Sequence, residues 1–179
     1  MSSLFGKKER RPTVKDIVWT NTKAKWQGVV DLCNKDENTV FVFWFDETLR
    51  SAQHFLSGQM ATKINLTMAR DVRYSQIEKK PVVFAEHYPL RKKEEELFQN
   101  LHLSAVRVLS ALDEPLFLRF GSEKIVHLMR QLGMDDKESF ENSMITTAIE
   151  NAQEKIQRKM SFENTAQSQS EWFNRNMQS

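Results

Sequence analysis

Apolar residues recur at helical and strand spacings through the first third of the chain. Four of them stand at i, i+3, i+4 and i+7 and predict a helix over 21–34 with one buried face: Trp26, Val29, Val30 and Cys33. Residues 39–45 are an unbroken run of β-branched and aromatic residues, which is typical of a strand covered on both faces. A second helical pattern follows over 46–58, and we expect Asp46 to cap this helix and Gly58 to end it.

Three more short strands are predicted over 63–68, 80–85 and 105–109, with a helix between the last two. From there to Met160 the pattern is helical. The longest of these helices begins near Ser143 and has one apolar stripe: Ile145, Ala148, Ile149, Ala152 and Ile156. This order of strands and helices predicts an α/β fold, in which a small parallel sheet with its helices is followed by a helical extension.

Both ends of the sequence are polar and have no periodic core pattern. We expect residues 1–12 to be a basic, flexible lead and residues 161–179 to be a polar, flexible tail, with Trp172 and Phe173 as a docking pair. The lead has two interpretations, a solvated terminus or a handle for a membrane surface or partner protein. The second interpretation depends on two apolar residues beside a cluster of charges: Leu4, Phe5, Lys7, Lys8, Arg10 and Arg11.

Composition argues against several classes of protein. The chain has 26 basic and 24 acidic side chains, and the resulting net charge of +2 is too small to indicate nucleic-acid binding. The longest strongly apolar run, residues 40–45, is too short to cross a bilayer, and residues 1–12 lack the apolar core of a secretory signal. Cys33 is the single cysteine and cannot form an internal disulfide. These features favour a cytoplasmic location.

Motifs for enzymatic chemistry are missing from the sequence. It has no phosphate-binding loop, dinucleotide fingerprint or paired-cysteine metal site. The four histidines fall on different predicted elements and are expected at surface or capping positions, so we predict no metal, cofactor or catalytic constellation. One weaker signal is the pair Glu86 and His87, which follows a predicted strand at the edge where α/β sheets place ligand contacts.

Three phrases in the second half of the chain carry a resemblance to a known family. They are Phe-Gly-Ser-Glu at 120–123, Leu-Gly-Met at 132–134 and Ala-Ile-Glu-Asn-Ala-Gln at 148–153. Together they closely resemble the segment that closes the second motor domain of SecA, the preprotein translocase ATPase, and leads into its helical scaffold. The resemblance extends loosely to residue 12. It implies a RecA-like, helicase C-terminal-type sheet over 13–134, in reduced form, and the start of a scaffold helix over 135–160.

The departures from the SecA pattern bear on catalysis. The family's first motor domain, with its phosphate loop, has no counterpart in this sequence, and the Gly-Arg-Gly-Thr-Asp loop of the second domain is missing. If 87–100 is laid over the family's Gln-x-Arg-Gly-Arg helix, Glu96 takes the place of the glutamine, and Phe98 and Asn100 replace the two arginines. An arginine finger contributes about 10³–10⁵ in rate to phosphoryl transfer. The resemblance therefore implies a chain that does not hydrolyse ATP by itself.

Two functions follow from the resemblance. The first is a non-catalytic SecA-like binding module in protein export, either cytoplasmic or peripheral to the inner face of the plasma membrane. Its partners would be SecA, a translocon component, an exported protein or a second copy. We expect them to bind the apolar helix stripe and the tail pair: Ile145, Ile149, Ile156, Trp172 and Phe173.

The alternative is a nucleotide-binding regulator, or an ATPase half-site completed in trans by another motor domain. Glu86, Arg91 and Lys92 are the candidate nucleotide contacts for this alternative. A third function, nucleic-acid binding, is disfavoured because the charge is near neutral and there is no basic stripe interleaved with aromatic residues.

Overall fold

A single five-stranded parallel sheet organises the protein. The computed structural model describes residues 11–59 and 63–177. The strands lie in the order β1-β5-β4-β2-β3, and each neighbouring pair is parallel. The elements in chain order are β1 (Thr13–Trp19), α1 (Thr22–Lys35), β2 (Val40–Phe43), α2 (Asp46–Ser57), β3 (Asn65–Met68), α3 (Tyr74–Ile77), β4 (Val82–Phe84), α4 (Arg91–Asn100), β5 (Ala105–Ala111), α5 (Pro115–Phe120), α6 (Ser122–Gln131), α7 (Ser143–Lys159) and α8 (Gln169–Asn176). The α/β fold expected from the sequence is confirmed.

Helices cover both faces of the sheet. Helices α1 and α2 pack on one face, where Trp26 and Leu56 meet Phe41 and Phe43 of β2. Helices α3 and α4 pack on the other face, where Phe98 lies against Phe84 with ring centroids 4.8 Å apart. All four residues of β2 are buried, as expected for a strand covered on both faces.

The first strand was not predicted from the sequence. Residues 13–19 pair with β5 along their whole length, from Thr13 opposite Ala105 to Trp19 opposite Ala111. Two charged residues, Lys15 and Asp16, interrupt the apolar pattern of this segment. The Asp16 carboxylate is nevertheless buried because it pairs with a histidine from the end of β4.

Gly28 allows helix α1 to lie close to β1. A Cβ atom at this position would lie 2.2 Å from the Trp19 ring, a distance that no real contact shows. The glycine thus permits a close helix–strand contact, and Trp19 fills the space that a side chain would otherwise occupy.

The C-terminal region folds back onto the sheet. Ile145 and Ile149 of α7 pack in one cluster with Val18 of β1, and the backbone of Phe140 bridges to Val18. Residues 161–177 differ from the loose tail that we expected, because they include α8 and bury Trp172 and Phe173. Of the predicted basic lead, residues 1–10 lie outside the described residues, whereas Arg11 lies 3.9 Å from the Glu95 carboxylate.

Candidate functional site

A crevice opens at the carboxyl edge of the sheet, between the ends of β2 and β4. The chain leaves β2 towards the face that carries α2, and it leaves β4 towards the opposite face, which carries α4. This divergence makes the switch point at which open α/β sheets bind their ligands. The crevice, hereafter the carboxyl-edge crevice, has a volume of about 170 Å³. Its walls include Thr22, Lys25, Thr48, Glu86, Asp113 and Ser168.

Lys25 places a buried positive charge beneath the crevice. Its side chain is only 1% exposed, and its Nζ donates to the carbonyl oxygen of Ala85 at 2.8 Å. The same ammonium forms an ion pair with Glu114 and lies 4.3 Å from the centroid of the Trp26 ring. Burial raises the pKa of Glu114, although Lys25 acts in the opposite direction. A lysine that has these partners is fixed in place and largely neutralised.

Glu86 ties the end of β4 to the start of α2. One carboxylate oxygen accepts from the backbone N–H groups of Trp44 and Phe45 at 3.0 and 2.9 Å, and the other accepts from the Thr48 hydroxyl at 2.7 Å. Burial raises the pKa of Glu86 to about 7, against the opposing effects of Lys25 and of these hydrogen bonds. Glu86 therefore changes protonation near neutral pH while it holds the first turn of α2 in place.

Acidic residues predominate around the crevice. Asp113 accepts from the backbone N–H of Thr22 at 3.0 Å and from its hydroxyl at 2.7 Å, which fixes the loop after β1 to the loop after β5. Among the described residues, those that line the crevice supply four carboxylates and one ammonium group: Glu47, Glu86, Asp113, Glu114 and Lys25. The local field is therefore unfavourable to an anion.

The two basic candidates for nucleotide binding lie elsewhere. The Arg91 guanidinium contacts Glu95 at 2.8 Å, Glu150 at 3.1 Å and Glu154 at 3.4 Å, so it links α4 to α7. Lys92 is an exposed side chain that lies 4.0 Å from Glu96. Neither residue lines the carboxyl-edge crevice, whereas Glu86, the third candidate, does.

Phe98 of helix α4, which the resemblance to SecA would place at an arginine position, is a core residue. Phe98 is 1% exposed and packs on Phe84, whereas Glu96 and Asn100 point to solvent. An arginine could not replace Phe98 without burying an unpaired charge in the apolar cluster. Phe98 is therefore part of the packing of the sheet.

His87 is buried in a charged network, in contrast to the surface or capping position that we expected. Its Nε2 lies 2.5 Å from Asp16 of β1, and its Nδ1 lies 2.9 Å from Glu94 of α4. Burial favours the neutral ring, but Glu94 and Asp16 outweigh it and hold the pKa of His87 well above its usual range. Gln153 of α7 donates to the second Glu94 oxygen at 2.9 Å. The network thus joins β1, α4 and α7 to the end of β4.

The five residues expected to bind a partner are all buried within the chain: Ile145, Ile149, Ile156, Trp172 and Phe173. They belong to one cluster that packs between α5, α7, α8 and the sheet edge. The apolar stripe of α7 therefore has an intramolecular partner, which β1 and the tail supply. A protein could reach these side chains only if this cluster opened.

Lys25, Asp16 and Glu94 escaped the sequence analysis, although one signal was present for two of them. Lys25 stands four residues before Val29 on the apolar stripe of α1, and Glu94 stands four residues before Phe98 on α4. A charged residue in an apolar stripe indicates a buried ion pair. Asp16 carries no such signal, because its strand was not recognised.

The part of the chain that the structure describes contains no grouping of His, Cys, Asp and Glu side chains suited to a metal ion. None of the helices in residues 11–59 and 63–177 is long and apolar enough to cross a membrane.

Comparison with known proteins gives short matches to one kind of protein. No family model matches the chain. It is 45% identical over 53 residues to protein translocase subunit SecA of Maridesulfovibrio salexigens, which is 30% of this chain and 6% of the relative. The identity is 47% over 51 residues for SecA of Solidesulfovibrio magneticus and 43% over 51 residues for SecA of Campylobacter hominis, in each case 28% of this chain and 6% of the relative. A stretch of this chain is therefore similar to SecA, and it equals about 6% of the length of those proteins.

Proposed function

We propose that this chain is a non-catalytic, SecA-related binding module in protein export. The observation that carries the proposal is the charge of the carboxyl-edge crevice, whose lining has four acidic side chains and one lysine, which is already paired with Glu114. The part-length similarity to protein translocase subunit SecA supports the link to export. We propose a cytoplasmic location, with contact to the inner face of the plasma membrane through the basic lead.

Electrostatics supports the absence of catalysis. Phosphoryl transfer needs cations that neutralise the charge developing on the phosphate. In the crevice, Lys25 is held by Glu114 and the Ala85 carbonyl, and the carboxylates of Glu47 and Asp113 line the same walls. Arg91 is neutralised by three carboxylates on the outer surface of α4 and α7. A nucleoside triphosphate would therefore meet repulsion where it would need attraction.

Exposed apolar side chains offer a binding surface in place of the buried stripe. Leu118 and Leu132 of the α5–α6 region are 63% and 59% exposed, and Met144 at the start of α7 is 74% exposed. Phe120 and Leu128 are also exposed. Exposed apolar groups in this number on short helices favour an interaction with another protein. SecA, a translocon component, an exported protein or a second copy are the partners we propose.

Two measurements on the purified chain test this function. Titration with ATP should give no saturation below about 1 mM, and hydrolysis should not exceed the buffer rate. A pull-down from a secretion-competent extract should recover SecA or a translocon component. Leu132→Ser, at the residue that follows α6, should weaken that recovery, whereas Gln131→Ser, at the last residue of α6, should not. Hydrolysis of ATP by the chain alone, or a pull-down without secretion components, would contradict the proposal.

One observation favours the alternative, a half-site completed in trans. The crevice lies at the ligand-binding edge of the sheet and holds the hydroxyl groups of Thr22, Thr48 and Ser51 near Lys25. A second motor domain that supplied cations could make such a site bind nucleotide. Titration of an ATP analogue with and without full-length SecA separates the two functions. Binding that requires SecA would favour the half-site, and no binding in either setting would exclude it.

A further inference from the structure

The C-terminal segment 163–177, hereafter the strap, crosses the carboxyl edge of the sheet. Gln169 fixes it through two buried hydrogen bonds. Its Oε1 accepts from the backbone N–H of Leu116 at 2.7 Å, and its Nε2 donates to the carbonyl oxygen of His87 at 3.1 Å. The backbone of the strap contributes one more bond, from the N–H of Glu47 to the carbonyl oxygen of Gln167 at 3.0 Å.

Two adjacent aromatic residues anchor the strap. Trp172 is fully buried, its ring lies 6.2 Å from that of Tyr88, and its Nε1 donates to Glu163 at 2.9 Å. Phe173 is 1% exposed and lies beneath the Arg119 guanidinium, 4.9 Å from its ring centroid. A buried aromatic pair with amide hydrogen bonds on one side is how a bound peptide is held in a groove.

The strap separates two cavities along the same edge. The carboxyl-edge crevice lies on one side, and a cavity of about 570 Å³ lies on the other, lined by residues such as Trp44, Arg70 and Lys93. Asp46 on α2 and Gln167 on the strap line the larger cavity. The residues that follow them, Glu47 and Ser168, line the crevice. The hydrogen bond from the N–H of Glu47 to the carbonyl oxygen of Gln167 therefore lies between the two cavities. Without the strap, the two spaces would form one continuous groove.

We propose that this edge is a peptide-binding groove and that the strap is its occupant in cis. The ligand that replaces the strap would be a polypeptide segment of the same chemistry, with two adjacent aromatic residues preceded by an amide side chain. Glu47 and Asp113 on the walls of the carboxyl-edge crevice favour a segment with a basic flank on that side. This inference goes beyond the proposed function and does not depend on nucleotide or on SecA.

Two features allow the strap to leave without unfolding of the sheet. It is joined to α7 through residues 160–162, which have no regular structure and include Phe162, 74% exposed. Its attachment consists of one eight-residue helix, the buried pair Trp172 and Phe173 and a few hydrogen bonds. A peripheral unit of this size opens at lower free energy than a central sheet. A short linker gives the strap an effective concentration in the millimolar range, so a free peptide competes poorly with it in the intact chain.

Hydrogen exchange on the full-length chain tests the opening. The amides of Glu47 and Leu116 bond to the strap, whereas the amide of Ala85 bonds to Val42 within the sheet at 2.8 Å. We expect the first two to exchange at least tenfold faster than the third. Gln169→Ala removes both side-chain bonds and should increase their exchange a further tenfold or more. Asn174→Ala, an exposed amide on the same helix, is the matched control and should leave it unchanged.

Binding of a labelled peptide of residues 163–177 tests the groove. The peptide should bind the Gln169→Ala chain at least tenfold more tightly than the wild type or Asn174→Ala, and a peptide with Trp172→Ala and Phe173→Ala should not bind. If the amides of Glu47 and Leu116 exchange no faster than the amide of Ala85, the strap does not open separately from the sheet. If they exchange faster but the peptide does not bind, the edge is not a peptide-binding groove. Should Gln169→Ala not fold, Glu163→Ala replaces it, because Glu163 attaches the strap to the Tyr88 hydroxyl and lies 3.9 Å from the Lys93 ammonium. The exchange rates of the wild-type chain test the opening of the strap whether or not these variants fold.

Discussion

Glu86→Gln isolates the effect of a single buried carboxyl on stability. The glutamine keeps the shape of the side chain, its carbonyl oxygen can accept from the N–H groups of Trp44 and Phe45, and its amide can donate to the Thr48 hydroxyl. What it removes is the ability to ionise. The wild-type carboxyl has a pKa of about 7 in the folded protein, against 4.5 for the ordinary group.

The size and sign of the effect follow from that difference in pKa. Because the folded state holds the proton more tightly, the free energy of unfolding falls as pH rises from about 4.5 to about 7. A shift of that size corresponds to roughly 3 kcal/mol, since one pKa unit is about 1.4 kcal/mol. In the Gln variant this contribution is missing. Its stability relative to the wild type should therefore improve by roughly 3 kcal/mol between pH 4.5 and 8.

Urea unfolding at pH 4.5, 5.5, 6.5 and 8, followed by tryptophan fluorescence, measures the difference. Glu37→Gln, the same exchange at an exposed loop position, is the control and should follow the wild type at each pH. If Glu86→Gln and the wild type lose stability in parallel across this range, the buried carboxyl is not the group that titrates, and the account of its environment is wrong.

Three further substitutions test other contacts by urea or thermal unfolding. Lys25→Met leaves the Glu114 carboxylate buried and unpaired, so we expect the free energy of unfolding to fall by about 3–5 kcal/mol at pH 8. The loss should be smaller at pH 5, because burial raises the pKa of Glu114 and favours its neutral form. An equal loss at both pH values would contradict this prediction. His87→Gln should cost a similar amount, and the wild-type stability that His87 supplies below pH 6.5 should be lost as pH rises through its raised pKa. Gly28→Ala forces a methyl group into the Trp19 ring and should lower the free energy of unfolding by about 1–3 kcal/mol. An unchanged stability would mean that helix α1 and Trp19 are not in close contact.

The strap changes how the SecA-like features of this chain are understood. The aromatic pair that looked like an exposed docking element in the sequence is a core component of the carboxyl edge. The two proposals therefore give a partner two separate surfaces to engage, the exposed apolar residues of the α5–α6 region and the groove that the strap covers. The pull-down variant Leu132→Ser addresses the first surface, and Gln169→Ala addresses the second.

Local patterns were sufficient for the elements that bury one simple apolar face. The stripe Trp26 to Cys33 predicted α1, the run 39–45 predicted β2, and both are present within one or two residues of the expected bounds. Parallel strands separated by helices then led to the α/β fold. These elements were predictable because their signal is contained in a short window of sequence.

Tertiary structure alone decided which polar residues are buried. Asp16 and His87 are 71 positions apart in the sequence, and Lys25 and Glu114 are 89 positions apart. The two residues of each set nevertheless form a buried ion pair. No local window of sequence contains both partners. A charged residue in an apolar stripe could therefore be recognised, but its ion-pair partner could not be identified. Strand β1 and the strap were missed for the same reason, since each is held by contacts with distant parts of the chain. The sequence by itself determined the layers of the fold, and the long-range ion pairs and the returning tail determined what lies at its carboxyl edge.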